Sequence, residues 1–317
     1  MAHLSSLSLV GLLENLLDMM NSLTITTHDN LFHLDDLFAC AIIEMYLDKN
    51  NQQYKVVRTR NKDLISESDY VVDVGDIYDT QLKRFDHHQK DGAGARENGI
   101  PYASAGLVWK EYGQEICQSK KLVDIVDSKV MQVLDADDNG LEYYKNILTD
   151  IETVTIHKFL YTFRPTWKED PKNFDTTFEE LLPLVKKYIL RKIVVEKDKL
   201  EALEKVEEAY NQTEDKRVVV MDKPYPGDEF LMSKSEVLYK ISPNANGTAW
   251  GLKTIRDSDE SYDNRKDLPK EWGGLRDEEL QNLTGVRDAI FCHNALFLAT
   301  AGSREGALEL ARLAVEY

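Results

Sequence analysis

Residues 23–49 read LTITTHDNLFHLDDLFACAIIEMYLDK. The first five are a β-branched run that predicts a strand, and from Leu34 to Lys49 apolar side chains recur at helical spacing. Two short valine-rich segments follow, YKVVRTR at 54–60 and YVVDVG at 70–75. Strands alternating with helices predict a parallel sheet with crossover connections. In such a sheet, ligands sit beyond the carboxyl ends of the strands, which is where the chain places His28, Asp29 and Asp73.

A second stretch, RFDHHQK at 84–90, sets two of the chain's seven histidines side by side after an aspartate. A strand would point them to opposite faces and a helix would set them about 100° apart, so neither gives them a shared packing role. The pair reads as chemistry. Four of the seven histidines fall in two short clusters, each beside aspartate and each at an expected sheet edge.

At 317 residues the chain suits two domains, or one with a substantial appendage. Helices are expected at 104–117 and 121–140, the second ending in the acidic run DADD and stopped by Asn139 and Gly140. A long helical stretch runs from Thr176 to Tyr210, with Pro183 near its start, and reads as a connector with a solvated face. Beyond Asp215 come short strands, RVVVM, VLYKI, TAWGLKTI, AIFCH and LFLAT, then a helix from Arg304 to Glu316. The expected architecture is α/β: an extension at 1–22, an N-terminal parallel-sheet domain at 23–173, a helical connector at 174–214, and a smaller C-terminal α+β domain at 215–317.

A net charge of -17 excludes a broad electropositive nucleic-acid surface, because phosphate neutralisation by Lys and Arg supplies most non-specific affinity. Any anion site is local. Three scattered cysteines predict neither a disulfide framework nor a zinc knuckle. No stretch is long and apolar enough for a membrane span, and the opening run lacks a basic segment, so cytoplasmic residence is expected.

His28, His33, Asp35, Asp73, His87, His88 and one of Asp135 or Asp138 make a set of imidazoles and carboxylates with no thiolate. That mixture suits Mn²⁺, Zn²⁺, Fe²⁺ or Co²⁺, with Mn²⁺ favoured by the number of carboxylates. One metal takes about four to six ligands, so seven candidates predict two. Paired cations favour hydrolysis of a phosphate ester or anhydride. His3 and His157 read as ordinary histidines without partners.

The ordered set TTHDNLFHLDD, VVDVGDIYD, RFDHHQ, SAGLVWKEYG and LDADDNG resembles the signature of the MYG (melanocyte proliferating gene) family, a branch of the DHH phosphoesterase superfamily. The likeness continues through RPTW at 164–167, LPKEWGGLRDEEL at 268–280 and AIFCHNALFLATAGSREGALELAR at 289–312. It implies a DHH-like catalytic domain with two divalent cations, Mn²⁺ before Mg²⁺, held by His28, His33, Asp35, Asp73, His87 and Asp138, with Asp73 bridging. It gives His88 a catalytic role facing the scissile phosphate, with Asp86 orienting a histidine. Two departures stand out: Asn30 replaces the family's usual glycine, and Asp36 its usual glutamate. Asn tolerates the left-handed backbone that Gly would allow.

The C-terminal domain is expected to hold phosphate through Arg276, His293 and Arg304, the last aided by the amides of the helix it opens. Trp250 and Trp272 read as core residues before base-stacking ones. The resemblance implies a 3′ to 5′ exonuclease on RNA or short oligonucleotides bound in a cleft between the domains. Two alternatives stand beside it: a hydrolase of a small phosphorylated metabolite or pyrophosphate, and a non-catalytic metal-stabilised binding protein. No membrane partner is expected, and a homodimer is left open.

Overall fold

The structure, a computed structural model, describes residues 22–147, 150–258 and 261–317. The extension expected at 1–22 therefore lies, but for its last residue, outside the described residues. Two compact units divide at Glu196/Lys197.

In the first unit, β1 (Leu23–Thr27), β2 (Tyr54–Arg58), β3 (Tyr70–Val72), β4 (Tyr78–Asp79) and β5 (Arg84–Phe85) form one sheet in the order β2-β1-β3-β5-β4. The first four strands in that order pair in parallel, and only β4 is antiparallel to its neighbour β5. Helix α1 (Leu34–Lys49) covers the sheet, and its apolar residues are buried almost all round, as expected of a helix enclosed by other elements rather than lying on a surface. Helix α2 (Lys62–Glu67) is short, and α3 (Ser104–Cys117) packs on α1. The helix expected at 121–140 is present as α4 (Lys120–Val126), a π-helical turn (Asp127–Met131) and α5 (Gln132–Asp138), ending at Asn139 and at Gly140 with φ +67°.

Gly106 marks the closest approach in this packing. A Cβ there would lie 2.0 Å from Asp135 Oδ2, and Asp135 is held in place by Arg96 and by the Gly106 amide, 3.1 Å from Oδ1. Gly106→Ala gains about 1 kcal/mol of helix propensity. It must also displace a buried ion-paired carboxylate, which costs about 3 kcal/mol or more. We expect a net loss of about 2 kcal/mol, measured as a lower urea midpoint at unchanged slope.

After α6 (Ile156–Tyr161) comes α7 (Asn173–Gln212), which contains Pro183 in its interior rather than at its start. The reading of this stretch as a solvated connector needs correcting. Phe178, Leu181, Leu182, Val185 and Ile189, at helical spacing, are buried in the first unit's core, and Val206 is buried in the second unit's. The helix is a core element of each unit in turn, because its apolar stripe outweighs its dense charge.

The second unit carries β6 (Val218–Val220), β7 (Tyr239–Pro243), β8 (Trp250–Thr254), β9 (Ala289–Cys292) and β10 (Leu298–Ala301) in the order β6-β7-β8-β10-β9. Only β6 and β7 are parallel. Helices α8 (Asp228–Met232), α9 (Asp277–Thr284) and α10 (Arg304–Glu316) complete it, and α10 packs on the sheet. Trp272 is core and Trp250 packs partly buried against the core, as expected.

Candidate metal centre

Strands β1, β3 and β5 are neighbours and run in one direction, so their carboxyl ends share an edge. His28 follows β1, Asp73 follows β3 and Asp86 follows β5 directly. Asn30 and Asp73 both take positive φ, +65° and +54°. The Asn30 value is the left-handed turn expected of a residue standing for glycine, and it lets the chain double back from His28 to His33 at the start of α1. Arg58, its side chain nearly buried, donates to the Asn30 carbonyl at 2.8 Å and pairs with Asp175, tying that turn to α7.

Asp73 lies at the middle of the site. Its Oδ2 is 3.3 Å from His28 Nε2 and its Oδ1 is 3.4 Å from His87 Nε2. On one side, His28, His33 and Asp73 bring ligand atoms within 4.8 Å of one another; on the other, Asp35, His87 and Asp138 do the same. His28 Nδ1 meets the Asp29 carbonyl at 3.0 Å, which places the proton on Nδ1 and turns Nε2 toward Asp73. Asp35 accepts the Ser104 and Ala105 amides at 2.7 Å each, so the first turn of α3 anchors it.

Asp135 and Asp138 sit one turn apart on α5, and the structure gives them different work. Asp138 Oδ2 stands 3.2 Å from His87 Nε2. Asp135 is instead paired with Arg96, and burial, opposed by that arginine, pushes its carboxyl up to about 6. His157, read as a histidine without partners, in fact meets Asp137 at 2.5 Å and packs edge-on against Tyr161.

Asp36 is a site residue that the sequence reading left outside the ligand set. Its Oδ1 accepts the His33 amide at 2.9 Å and its Oδ2 reaches to 3.3 Å from His28 Nε2. The signal for it lay in the spacing of His33 to Asp36, a capping pattern with histidine in the first place.

The electrostatics of the site call for cations. Burial, reinforced by Asp73 and Asp138, holds the Asp35 carboxyl well above its ordinary range, and burial, against the pull of His28, pushes Asp36 up to about 7. Asp73 goes the other way: burial would raise it, but the imidazoles of His28 and His87 beside its two oxygens hold it well below. Burial would lower His87, yet Asp138 and Asp73 outweigh it and push the imidazole up to about 11. Even so, His87 Nε2 and Asp36 Oδ2 are both buried without a hydrogen-bond partner, although carboxylates crowd the first and an imidazole the second. Buried polar atoms are rarely left so, and these two point where divalent cations would complete them. The donor set, imidazole nitrogen with carboxylate oxygen, fits such ions.

Residues 24–315 match the MYG1 exonuclease family, described as an uncharacterised protein family (UPF0160). The chain belongs to that family. A MYG1 protein of Schizosaccharomyces pombe is 28% identical over 324 residues, 94% of this chain and 99% of its own. The MYG1 exonuclease of Mus musculus is 28% identical over 320 residues, 91% of this chain and 83% of its own. RecJ of Thermus thermophilus, solved with Mn²⁺, aligns at a TM-score of 0.27 and 11% identity over 99% of this chain and 56% of its own, which assigns no residue a role.

In this MYG1-family chain, Asp86 organises the tandem histidines. Its Oδ1 accepts the His87 and His88 amides at 2.7 and 3.2 Å and meets His88 Nδ1 at 2.7 Å, while its Oδ2 accepts the Asp76 amide at 2.6 Å. The histidine it orients is thus His88, whose side chain is 55% exposed at the mouth of the site. Hydrogen bonding to Asp86 raises the His88 pKa despite partial burial.

The three C-terminal candidates do not form one cluster. Arg276 lies exposed with its guanidinium over Phe291, and His293, whose Nδ1 accepts the Ala295 amide at 3.0 Å, stacks on Phe297. Arg304 opens α10 just after Ala301, which pairs with Ala289 at the opposite end of β9 from His293, a four-residue strand that spans about 13 Å. The expected anion seat at the start of α10 is already taken. Ser303 Oγ accepts the Gly306 amide and lies 2.5 Å from Asp288 Oδ2, and a Cβ on Gly306 would meet Asp288 Oδ1 at 2.2 Å. A carboxylate of the chain itself occupies the place proposed for phosphate.

Proposed function

We propose that this chain is a metal-dependent phosphoesterase that shortens RNA or short oligonucleotides from the 3′ end at two divalent cations, Mn²⁺ preferred. The observation that carries the reading is Asp73, with one carboxylate oxygen turned to each of two ligand groups. His28, His33 and Asp73 would hold one cation, and Asp35, His87, Asp138 and the shared Asp73 the other. Cations there would lower the pKa of water and neutralise charge on the phosphate. The chain's residues do the rest: Asp86 fixes His88 Nδ1, and His88 presents its other nitrogen to the departing oxygen as hydrogen-bond donor and acid. The names of mammalian relatives, MYG1 exonuclease, favour nucleic acid over a small phosphorylated substrate.

The test is a substrate panel with the full chain and Mn²⁺, Mg²⁺ or chelator. A 5′-labelled RNA oligomer should give a ladder shortening stepwise from the 3′ end, abolished by chelator. Faster phosphate release from pyrophosphate than cleavage of RNA, or no hydrolysis at all, would overturn the proposal.

A further inference from the structure

Beside the metal centre, and wholly within the first unit, a cavity of about 630 Å³ opens from His28, His33, Asp73 and His88. That volume falls within the range of small-ligand sites. Two features mark its chemistry. One wall is aliphatic, built from Ile65, Val71, Val74 and Ile77, and Ile77 remains 48% exposed. Cations enter the lining through Arg60 and Lys62, which follow β2 and so reach the same sheet edge as His28, while Asp73, Asp76 and Asp86 supply its carboxylates.

The third cation of the lining, Arg84, is already committed: its guanidinium donates to the Ser68 and Leu82 carbonyls at 2.8 and 2.9 Å. Arg60 meets only Asp29, at 3.3 Å with both side chains well exposed, and Lys62 has no ionic partner among the described residues. In a chain of net charge -17, two cations held by at most one exposed ion pair, at the same sheet edge as His28, stand out. Their sign matches phosphate, and the aliphatic wall of the same cavity matches a base.

We infer that this cavity is the seat of one nucleotide adjoining the scissile phosphate, its base on Ile65 and Ile77 and its flanking phosphate held by Arg60 and Lys62. The inference rests on the nuclease reading for its ligand, but it names residues that reading does not need. Each phosphate of a single strand that the protein neutralises contributes about -0.7 to the slope of log affinity against log salt.

The experiment measures binding, not turnover. A fluorescein-labelled phosphorothioate RNA pentamer is titrated into the Mn²⁺-loaded chain and into the Arg60→Ala/Lys62→Ala variant across a salt series. The double variant should bind at least tenfold more weakly, with the slope reduced by about 0.7. Ile65→Trp, which fills the cavity, should weaken binding while leaving the slope as it was. Mn²⁺ stoichiometry and melting temperature report that each variant is folded. Wild-type affinity and slope in the double variant would overturn the pocket even if the chain cleaves RNA. Loss of binding through Arg60 and Lys62 in a chain that cleaves nothing would overturn the nuclease reading and keep the pocket.

Discussion

Asp73→Asn is expected to lose bound Mn²⁺ and to lower the rate of phosphodiester hydrolysis on the order of 10³-fold, about 4 kcal/mol in the barrier. The substitution is chosen for its backbone. Asp73 holds φ +54° just past the end of β3, and asparagine tolerates that conformation as well as aspartate does. Shape and fold are therefore kept, and what goes is the second anionic oxygen, so that the side chain no longer offers a carboxylate oxygen to both His28 and His87. Calorimetric titration of the metal-free chain with Mn²⁺ checks the first part and cleavage of an end-labelled oligomer the second. Two equivalents bound at wild-type affinity by Asp73→Asn would remove the bridging role.

The reason so much of this site was legible in the sequence is that it is local at three places. Each of His28, Asp73 and Asp86 immediately follows a short strand, and parallel pairing alone brings three strand ends to one edge. What the sequence could not decide depended on partners far along the chain. Asp135 and Asp138 are chemically alike and one turn apart; only Arg96, delivered by a separate loop, withdraws Asp135 into an ion pair. The same holds for α10, whose opening amides are screened by Asp288, the residue just before β9, a contact with no local signature. The charge of α7 hid its apolar stripe, since the stripe becomes visible only when a core exists to receive it.

His88→Ala is expected to separate binding from chemistry: metal stoichiometry unchanged, hydrolysis slower by about 10²- to 10⁴-fold. Of the two adjacent imidazoles, His87 points inward among Asp35, Asp73 and Asp138, whereas His88 lies exposed with its Nδ1 taken up by Asp86. The carboxylate of Asp86 raises the pKa of His88, so the imidazolium persists to higher pH than an ordinary histidine allows. An acid is active while protonated, so the rate should be sustained below that raised pKa and fall as pH rises through it. Asp86→Asn withdraws the charge that raises the value and should move the alkaline limb to lower pH, whereas His88→Ala should abolish the limb. A pH profile for the three proteins at saturating Mn²⁺ distinguishes this from mere loss of structure, which lowers the rate without moving the limb. If the limb stays in place when His88 is alanine, the proton comes from elsewhere, and the exposed member of the pair has no part in the departure of the leaving oxygen.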